Sequence, residues 1–271
     1  MRVVVLGVTG KQGGAVARRL LADGWQVRGV TRDPSGARAQ ALAAQGVEMV
    51  TAPSFSGVEA VFAVHPGPLA PELDEFADLE PVVKAAGDAH LVYSSALGAD
   101  RSQPAKHAVE QLIADLGVSA TVLRPSSFME NYLDPRFGLF GGELRTALNP
   151  GTRQQLIAVD DIAAFAALAF AEPDLLRGRT LDLAGDALTP PEIAAAVSAA
   201  TGREVPYVHL PIEELRKVNP RFARGYELMN SMPEPSADFS ELRKLHPELM
   251  TFETWLTRTG ATQKLFRRAE N

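Results

Sequence analysis

The chain has 271 residues and a net charge of −6, with 46% hydrophobic residues, 22% charged residues and no cysteine. That length allows one large domain or two, and the lack of cysteine excludes disulfides, thiolate metal sites, iron–sulfur clusters and a cysteine nucleophile. The negative charge argues against a nucleic-acid surface spread over the whole molecule. No stretch is apolar enough to span a membrane and the N-terminus lacks a secretory signal, so we expect a cytoplasmic protein without a membrane partner.

Up to about residue 125, short apolar strands alternate with helices. Strands are predicted at 3–6, 26–31, 47–50, 58–64, 90–95 and 120–124, and helices at 15–22, 37–44, 72–86 and 105–116. Short strands that are apolar on both faces and separated by helices are typical of a parallel sheet covered on both sides. We therefore expect an α/β protein with a doubly wound parallel Rossmann sheet, in strand order 3-2-1-4-5-6.

The link between the third and fourth strands is short. Only residues 51–57 lie between them, whereas a parallel crossover usually takes a dozen residues or more. To pass two strands sideways and return along the sheet, this segment must be nearly extended. We predict that the helix between the third and fourth strands is missing.

After residue 125 the pattern is less regular. Glycine and proline over 134–152 predict a long mobile segment. A strand is predicted at 180–183, and helices at 161–171, 191–201, 212–218 and 252–259. Thr189 and Glu192 predict a capping box at the start of the helix 191–201. We expect a Rossmann domain of residues 1–132 plus 153–185, and a smaller, mainly C-terminal α/β lobe of residues 133–152 plus 186–271.

A glycine motif lies between the first strand and the first helix. Gly7, Gly10 and Gly13 form G-x-x-G-x-x-G. Glycines permit the tight turn, and the backbone N–H groups at the helix start can hold a pyrophosphate. The other interpretation is a turn whose glycines serve packing alone.

The end of the second strand bears on the choice of dinucleotide. Arg32 stands there, 19 residues after Gly13, and Asp33 follows it. An arginine suits the 2′-phosphate of NADP(H), whereas a carboxylate suits the ribose hydroxyl of NAD(H). We expect NADP(H) to be preferred, with NAD(H) possible through Asp33; a solvated loop charge is the alternative for Arg32.

Several short segments together resemble the NmrA-like branch of the atypical short-chain dehydrogenases. They are 7–14 (GVTGKQGG), 27–34 (VRGVTRDP), 92–99 (VYSSALGA), 105–112 (AKHAVEQL), 123–131 (LRPSSFMEN), 158–163 (AVDDIA) and 181–187 (LDLAGDA). The resemblance implies a Rossmann domain that binds NADP(H), with a smaller lobe. Family members include quinone and other NADPH-dependent reductases, and also redox-sensing regulators that bind the dinucleotide without turning it over.

The resemblance also implies roles for individual residues. Those expected to bind the cofactor are Gly7, Thr9, Gly10, Lys11, Gln12, Gly13, Arg32, Val64, His65, Pro66 and Lys106. Lys106 matches the lysine that grips the ribose hydroxyls and lowers the barrier to proton transfer. The wider superfamily has an acidic tyrosine four residues earlier, where this chain has Ser102, a far weaker acid. Alcohol or ketone chemistry is therefore in doubt.

Three side chains remain as catalytic candidates: Lys106, Ser95 and His65. Ser94 and Ser95 lie at the C-terminal end of the fifth strand, at the sheet edge where ligands bind, and each either bonds a substrate oxygen or satisfies local backbone groups. His65 opens the loop His65-Pro66-Gly67-Pro68 and either donates a proton to a reduced acceptor or is an ordinary loop histidine. The five histidines show no ligand spacing, so no metal is expected.

These features favour an NADPH-dependent oxidoreductase that transfers a hydride to a small apolar acceptor, a quinone or a conjugated carbonyl. The alternative is a non-enzymatic NADP(H)-binding redox sensor with a protein partner. No direct contact with nucleic acid is expected, because the sequence has no helix-turn-helix signature.

Overall fold

The structure, a computed structural model, describes residues 1–66, 73–232 and 235–265. Gly67 and Pro68 of the predicted loop, and residue 72 of the predicted 72–86 helix, therefore lie outside the described residues. The chain divides into two units: Met1–Pro125 with Val159–Leu183, and Ser126–Ala158 with Ala184–Asn271.

The first unit contains the predicted alternation of strands and helices. Its strands are β1 (Arg2–Val5), β2 (Gln26–Val30), β3 (Glu48–Val50), β4 (Ala60–Val64), β5 (His90–Ser94), β6 (Ala120–Pro125) and β11 (Thr180–Leu183). Its helices are α1 (Lys11–Ala22), α2 (Ala37–Ala43), α3 (Glu75–Ala85), α4 (Ala99–Ser102), α5 (Pro104–Asp115), α6 (Val159–Ala171) and α7 (Pro173–Leu176).

The seven strands form one sheet in the order β11-β6-β5-β4-β1-β2-β3, and every pair is parallel. This order confirms the predicted doubly wound Rossmann sheet. The chain runs outward from β1 in one direction and from β4 in the other, so the ends of these two strands mark the switch point where ligands bind in such sheets.

The segment between β3 and β4 is fully described. Residues 51–59 form bends and one turn and contain no helix. The turn ends at Gly57, whose φ of +66° is readily adopted by glycine.

Both faces of the sheet are covered by helices, because the strands are apolar on both sides. Val3, Val4 and Val5 are all fully buried although consecutive residues point to opposite faces. α1 packs against α6, and α3 packs against α5. The core beneath α3 and α5 contains Tyr93 of β5 among aliphatic residues.

The second unit combines two small sheets with short helices. Its strands are β7 (Ser127–Phe128), β8 (Leu139–Phe140), β9 (Glu143–Thr146), β10 (Gln154–Ile157), β12 (Asp186–Leu188) and β13 (Tyr207–His209). Its α-helices are α8 (Pro190–Thr201), α9 (Ile212–Val218), α10 (Pro220–Ser231), α11 (Phe239–Leu245) and α12 (Phe252–Arg258). The sheets have the orders β12-β10-β7 and β13-β9-β8. Within the described ranges, no helix is both long and apolar enough to cross a membrane.

The segment 134–152, predicted as a long mobile segment, contains regular structure. Short 3-10 helices at Met129–Leu133 and Pro135–Phe137 lead into the antiparallel hairpin of β8 and β9. Gly141 and Gly142 make the turn between these strands, each with positive φ. The glycines thus mark a tight turn between paired strands.

The predicted capping box at α8 is present and gives a stability prediction. Thr189 Oγ1 accepts a hydrogen bond from Glu192 N (3.4 Å), and Glu192 Oε2 accepts one from Thr189 N (2.8 Å). Thr189→Ala removes the cap, so we expect the free energy of unfolding to fall by about 1 kcal/mol in urea titrations. Thr257→Ala, on the exposed side of α12, is the control, with an expected change within about 0.5 kcal/mol. Equal losses in the two variants would contradict this role of Thr189.

Candidate functional site

The glycine loop after β1 closes tightly on itself and on the end of β4. Gly7 has a φ of +65°, and a Cβ there would lie 2.8 Å from Val64 Cγ1 and 2.9 Å from the Val64 carbonyl oxygen. A Cβ at Gly13 would lie 2.3 Å from the Gly7 carbonyl oxygen. Gly10 N donates to that same oxygen (2.9 Å). The structure therefore brings Gly7, Gly10, Gly13 and Val64 together, at the switch point of the sheet.

The start of α1, directly after this loop, suits an anion. Gly10 is the N-cap residue and supplies no side-chain hydrogen bond, and the first turn contains no acidic residue. Lys11 is exposed at this position. The first N–H groups of a helix have no partner within the helix and lie at the positive end of its dipole. Phosphate oxygens can accept hydrogen bonds from such groups.

A side-chain hydrogen bond joins α1 to the end of β5. Ser94 Oγ donates to Gln12 Oε1 at 2.6 Å, and Ser94 is fully buried. Ser95, the serine predicted to be catalytic, is also buried; its N–H donates to the Leu123 carbonyl (2.8 Å). The contact with α1 thus comes from Ser94, the other serine at the end of this strand.

The predicted selectivity residue Arg32 is exposed just after β2. The neighbouring carboxylate is engaged elsewhere: Asp33 Oδ1 accepts hydrogen bonds from Ser35 N (3.0 Å) and Ser35 Oγ (2.5 Å). These bonds hold the pKa of Asp33 below its usual range. Asp33 stabilises the turn before α2, and among the described residues Arg32 forms no salt bridge.

Five polar side chains of the first unit lie close together and form what we call the Glu75 cluster: Asp78, His65, Glu75, Tyr93 and Lys106. The Glu75 carboxylate is buried, and its Oε1 accepts hydrogen bonds from Lys106 Nζ (2.7 Å) and from the Tyr93 hydroxyl (2.9 Å). The ammonium also lies 5.7 Å from the centre of the Tyr93 ring. Lys106, predicted from the sequence, is therefore held by two residues that the sequence did not indicate.

Burial is the largest effect on the pKa values of Lys106 and Tyr93. It lowers the pKa of Lys106, an effect that the attraction of the Glu75 carboxylate opposes. Burial and the adjacent Glu75 carboxylate strongly raise the pKa of Tyr93. A tyrosine with a raised pKa is a poorer proton donor, so Tyr93 does not replace the acidic tyrosine whose position Ser102 occupies. Ser102 Oγ itself donates to the Gly98 carbonyl oxygen (3.0 Å).

His65, predicted in the loop after β4, is buried and lies between two carboxylates. Its Nε2 is 3.0 Å from Asp78 Oδ2, and its Nδ1 is 3.8 Å from Glu75 Oε2. Pro66, the next residue, is exposed. The structure thus brings His65 together with Glu75 and Asp78.

A second ion pair, partly buried, lies one turn further along α5 from Lys106. Arg124, at the end of β6, forms two hydrogen bonds to the Glu110 carboxylate, at 2.9 and 2.5 Å. His107 Nδ1 lies 3.5 Å from Glu110 Oε2. Burial, the largest single effect, would raise the pKa of Glu110, but the hydrogen bonds that its carboxylate accepts and the positive charge of Arg124 together outweigh burial, so the pKa is lowered.

The sequence contained no local signal for Glu75 or Tyr93. Both residues stand in stretches that read as ordinary secondary structure, an acidic helix start and an apolar strand. Only the parallel order of β4 and β5 and the packing of α3 against α5 bring them to Lys106. A clue was present in the position of Tyr93 among fully apolar residues, because a buried tyrosine hydroxyl needs a hydrogen-bond partner.

Aromatic residues after β6 belong to the second unit. Met129 is fully buried and Tyr132 nearly so; the Tyr132 ring contacts Phe252 edge-on at 5.4 Å. Phe137 contacts Phe222 at 5.7 Å, whereas Phe140 at the hairpin is exposed. Most of these residues pack their own unit. Across the residues that the structure describes, no three acidic or histidine side chains converge as metal ligands would.

The doubly wound sheet with a glycine loop after β1 defines a Rossmann-type α/β protein. The chain belongs to the NmrA-like family, which it matches over residues 1–256, and this confirms the resemblance seen in the sequence. The NAD(P)H azoreductase of Xenophilus azovorans is 31% identical over 248 residues, which cover 86% of this chain and 85% of that relative.

Two solved structures are also similar. The NADPH-dependent quinone oxidoreductase of Escherichia coli, complexed with NADPH, has a TM-score of 0.74 at 26% identity, covering 96% of this chain and 100% of that one. NmrA, a negative transcriptional regulator, has a TM-score of 0.80 at 20% identity, covering 97% of this chain and 96% of that one. At that identity the likeness to NmrA shows the fold alone.

The Glu110–Arg124 pair gives a prediction about acid stability. A carboxylate whose pKa is lowered in the folded state stabilises that state above its unfolded pKa, and the contribution is lost as the pH falls through the folded pKa. We expect Glu110→Gln to lower the free energy of unfolding by about 1–2 kcal/mol near neutral pH. The difference from the unsubstituted protein should shrink below about pH 4.3, the ordinary pKa of glutamate.

Urea unfolding between neutral and acid pH measures this difference. Glu80→Gln is the matched control, since Glu80 forms an exposed pair with Lys84 on α3. Surface ion pairs contribute little to the free energy of unfolding, so this variant should be as stable as the unsubstituted protein at every pH. A constant gap between the Glu110→Gln variant and the unsubstituted protein at acid pH would contradict the assignment.

Proposed function

We propose that the protein is a cytoplasmic NADPH-dependent oxidoreductase that transfers a hydride to a small apolar acceptor, a quinone or a conjugated carbonyl. The observation that carries the proposal is the start of α1: its first turn follows a closed glycine loop at the switch point and has neither a capping side chain nor an acidic residue. That arrangement fits the diphosphate of a dinucleotide. The names of the azoreductase and quinone oxidoreductase relatives support the reaction class.

The site residues predicted from the sequence would have distinct roles in holding the cofactor. Gly7, Thr9, Gly10, Lys11, Gln12 and Gly13 would hold the diphosphate, Arg32 the 2′-phosphate, and Val64, His65, Pro66 and Lys106 the ribose next to the nicotinamide. The exposure of Arg32 and the engagement of Asp33 with Ser35 support NADP(H) over NAD(H). When bound, the cofactor supplies the hydride and the protein supplies orientation and charge.

The chain's own groups favour an acceptor whose reduction does not need a strong protein acid. Ser102 is bound to backbone and Tyr93 has a raised pKa, so neither would protonate a ketone oxygen well. A quinone differs because its reduced oxygens take protons readily from water or from a weak donor. The Lys106 ammonium, fixed by Glu75, would provide positive charge where negative charge develops on the acceptor.

The second candidate function is a redox sensor that binds NADP(H) without turning it over. The specific observation in its favour is the same lack of an acidic tyrosine beside Lys106. Such a sensor would bind the reduced and the oxidised cofactor with different affinities, and would change its contacts with a protein partner accordingly.

A turnover assay separates the two functions. The loss of reduced-nicotinamide absorbance is followed with a panel of quinones, conjugated carbonyls and azo dyes, with NADPH and with NADH. We expect turnover of at least one quinone with NADPH, and a slower rate when the transferred hydrogen of the cofactor is deuterium. Tight NADPH binding by calorimetry without turnover of any acceptor would favour the sensor and contradict the reductase.

Replacing Arg32 tests the choice of cofactor. Arg32→Gln removes the charge expected at the 2′-phosphate, and charge-assisted hydrogen bonds contribute about 1.5–3 kcal/mol each. We expect kcat/KM for NADPH to fall roughly 10- to 100-fold, with kcat/KM for NADH unchanged within about twofold. Arg19→Gln is the control, because Arg19 pairs with Asp23 at the far end of α1. A parallel fall for both cofactors would show that Arg32 has no role in selectivity.

A further inference from the structure

The Glu75 cluster forms an ordered chain of groups from solvent to the interior of the first unit. The Asp78 side chain is 55% exposed, whereas those of His65, Glu75 and Lys106 are 6%, 4% and 7% exposed. The nearest polar atoms are 3.0 Å apart between Asp78 and His65, 3.8 Å between His65 and Glu75, and 2.7 Å between Glu75 and Lys106. These contacts therefore connect the exposed carboxylate of Asp78 to the buried ammonium group of Lys106.

His65 and Glu75 are the two inner groups of this series, and each faces its two neighbours through two different atoms. His65 faces Asp78 through Nε2 and Glu75 through Nδ1. Glu75 faces His65 through Oε2 and Lys106 through Oε1. An imidazole that accepts a proton on one nitrogen can release one from the other, and a carboxyl group can do the same with its two oxygens. Two of the three links are at hydrogen-bond distance, and the arrangement can pass protons in sequence when a small side-chain movement brings His65 Nδ1 and Glu75 Oε2, 3.8 Å apart here, within hydrogen-bond distance.

Packing does not require these charges. Leu79 and Val83 of α3, and Val109 and Ile113 of α5, share an apolar core with Tyr93. This core already holds the two helices on the sheet, and a buried ion pair adds little stability once its desolvation is counted. His65 and Asp78 would be superfluous to a cluster that served only to join α3 and α5.

We propose that Asp78, His65 and Glu75 form a proton relay that restores the proton of Lys106 during turnover, an inference that rests on the proposed reductase function. Reduction of a quinone consumes one NADPH and one proton and yields a hydroquinone and NADP⁺. The hydride brings two electrons and one hydrogen nucleus; the second hydrogen nucleus arrives as a proton. A proton that Lys106 gives to an acceptor oxygen is replaced from solvent through the three relay residues.

Lys106 faces Glu75 of α3 and the Tyr93 ring of β5, and it also feels Glu110 one turn further along α5. His65 faces Glu75 and Asp78. Lys106 and His65 thus both face acidic groups, and Glu75 is the acidic group that they share.

The first test does not depend on activity. The pKa of Lys106 is measured from the NMR signal of its ε-carbon in the unsubstituted protein and in Glu75→Gln. The Glu75 carboxylate holds this pKa up against burial, so the variant should show a pKa lower by at least about one unit, given the contact between the charges. Glu80→Gln on the same helix should leave the pKa unchanged. An unchanged pKa in Glu75→Gln would remove Glu75 from the relay.

The second test uses His65, whose replacement leaves the Lys106–Glu75 pair in place. We expect His65→Gln to lower kcat for quinone reduction, measured at saturating NADPH, roughly 100-fold. Added imidazole should restore part of the lost kcat, which a purely structural defect would not allow. Asp78→Asn should give a smaller loss of the same kind, and His209→Gln in the second unit should give none.

The outcomes separate the two proposals. If the unsubstituted protein reduces no acceptor, the reductase function fails, and the relay fails with it whatever the pKa of Lys106. If it does reduce a quinone while His65→Gln keeps the same kcat and pH profile, the relay alone is overturned. Loss of kcat with recovery in imidazole supports both.

Discussion

The contact between the Glu75 carboxylate and the Lys106 ammonium is the interaction on which the candidate active site depends. It joins α3 to α5, and the Tyr93 hydroxyl bonds the same oxygen atom from β5. All three groups are buried, so none can find a substitute partner in water. A buried charge that loses its partner is costly, which confines each side chain to one position. The lysine at a predicted cofactor site is therefore fixed before any ligand binds.

The fold could be predicted from the sequence because its signals are local and repeated. Each strand of the Rossmann sheet is a short apolar run, and the glycine loop lies between β1 and α1 as such motifs require. The second unit was less predictable. α10 is polar on average and has one buried residue, Ala223, although Asn219 and Pro220 mark its start. The hairpin at 139–146 was hidden by the glycines that form its turn.

The residues of the candidate site also differ in how far the sequence could indicate them. Arg32 and the glycines could be proposed from the sequence because a dinucleotide site is defined by positions in a βαβ unit, which the sequence displays. Glu75 could not, since its importance comes from three elements meeting in space, 31 residues away from Lys106 in the chain. His65 was found as a residue, but its position between two carboxylates depends on α3. Long-range pairs of this kind leave no spacing that one sequence can reveal.

Tyr93 and Ser94 are consecutive residues of β5, and consecutive side chains of a strand point to opposite faces of the sheet. Ser94 contacts Gln12 on one face, while Tyr93 contacts Glu75 on the other. A shift of β5 by one residue would exchange the two faces and break both contacts at once. The glycine-loop helix and the Glu75 cluster are thus both positioned by the peptide unit between Tyr93 and Ser94, so a change in the backbone there would affect both.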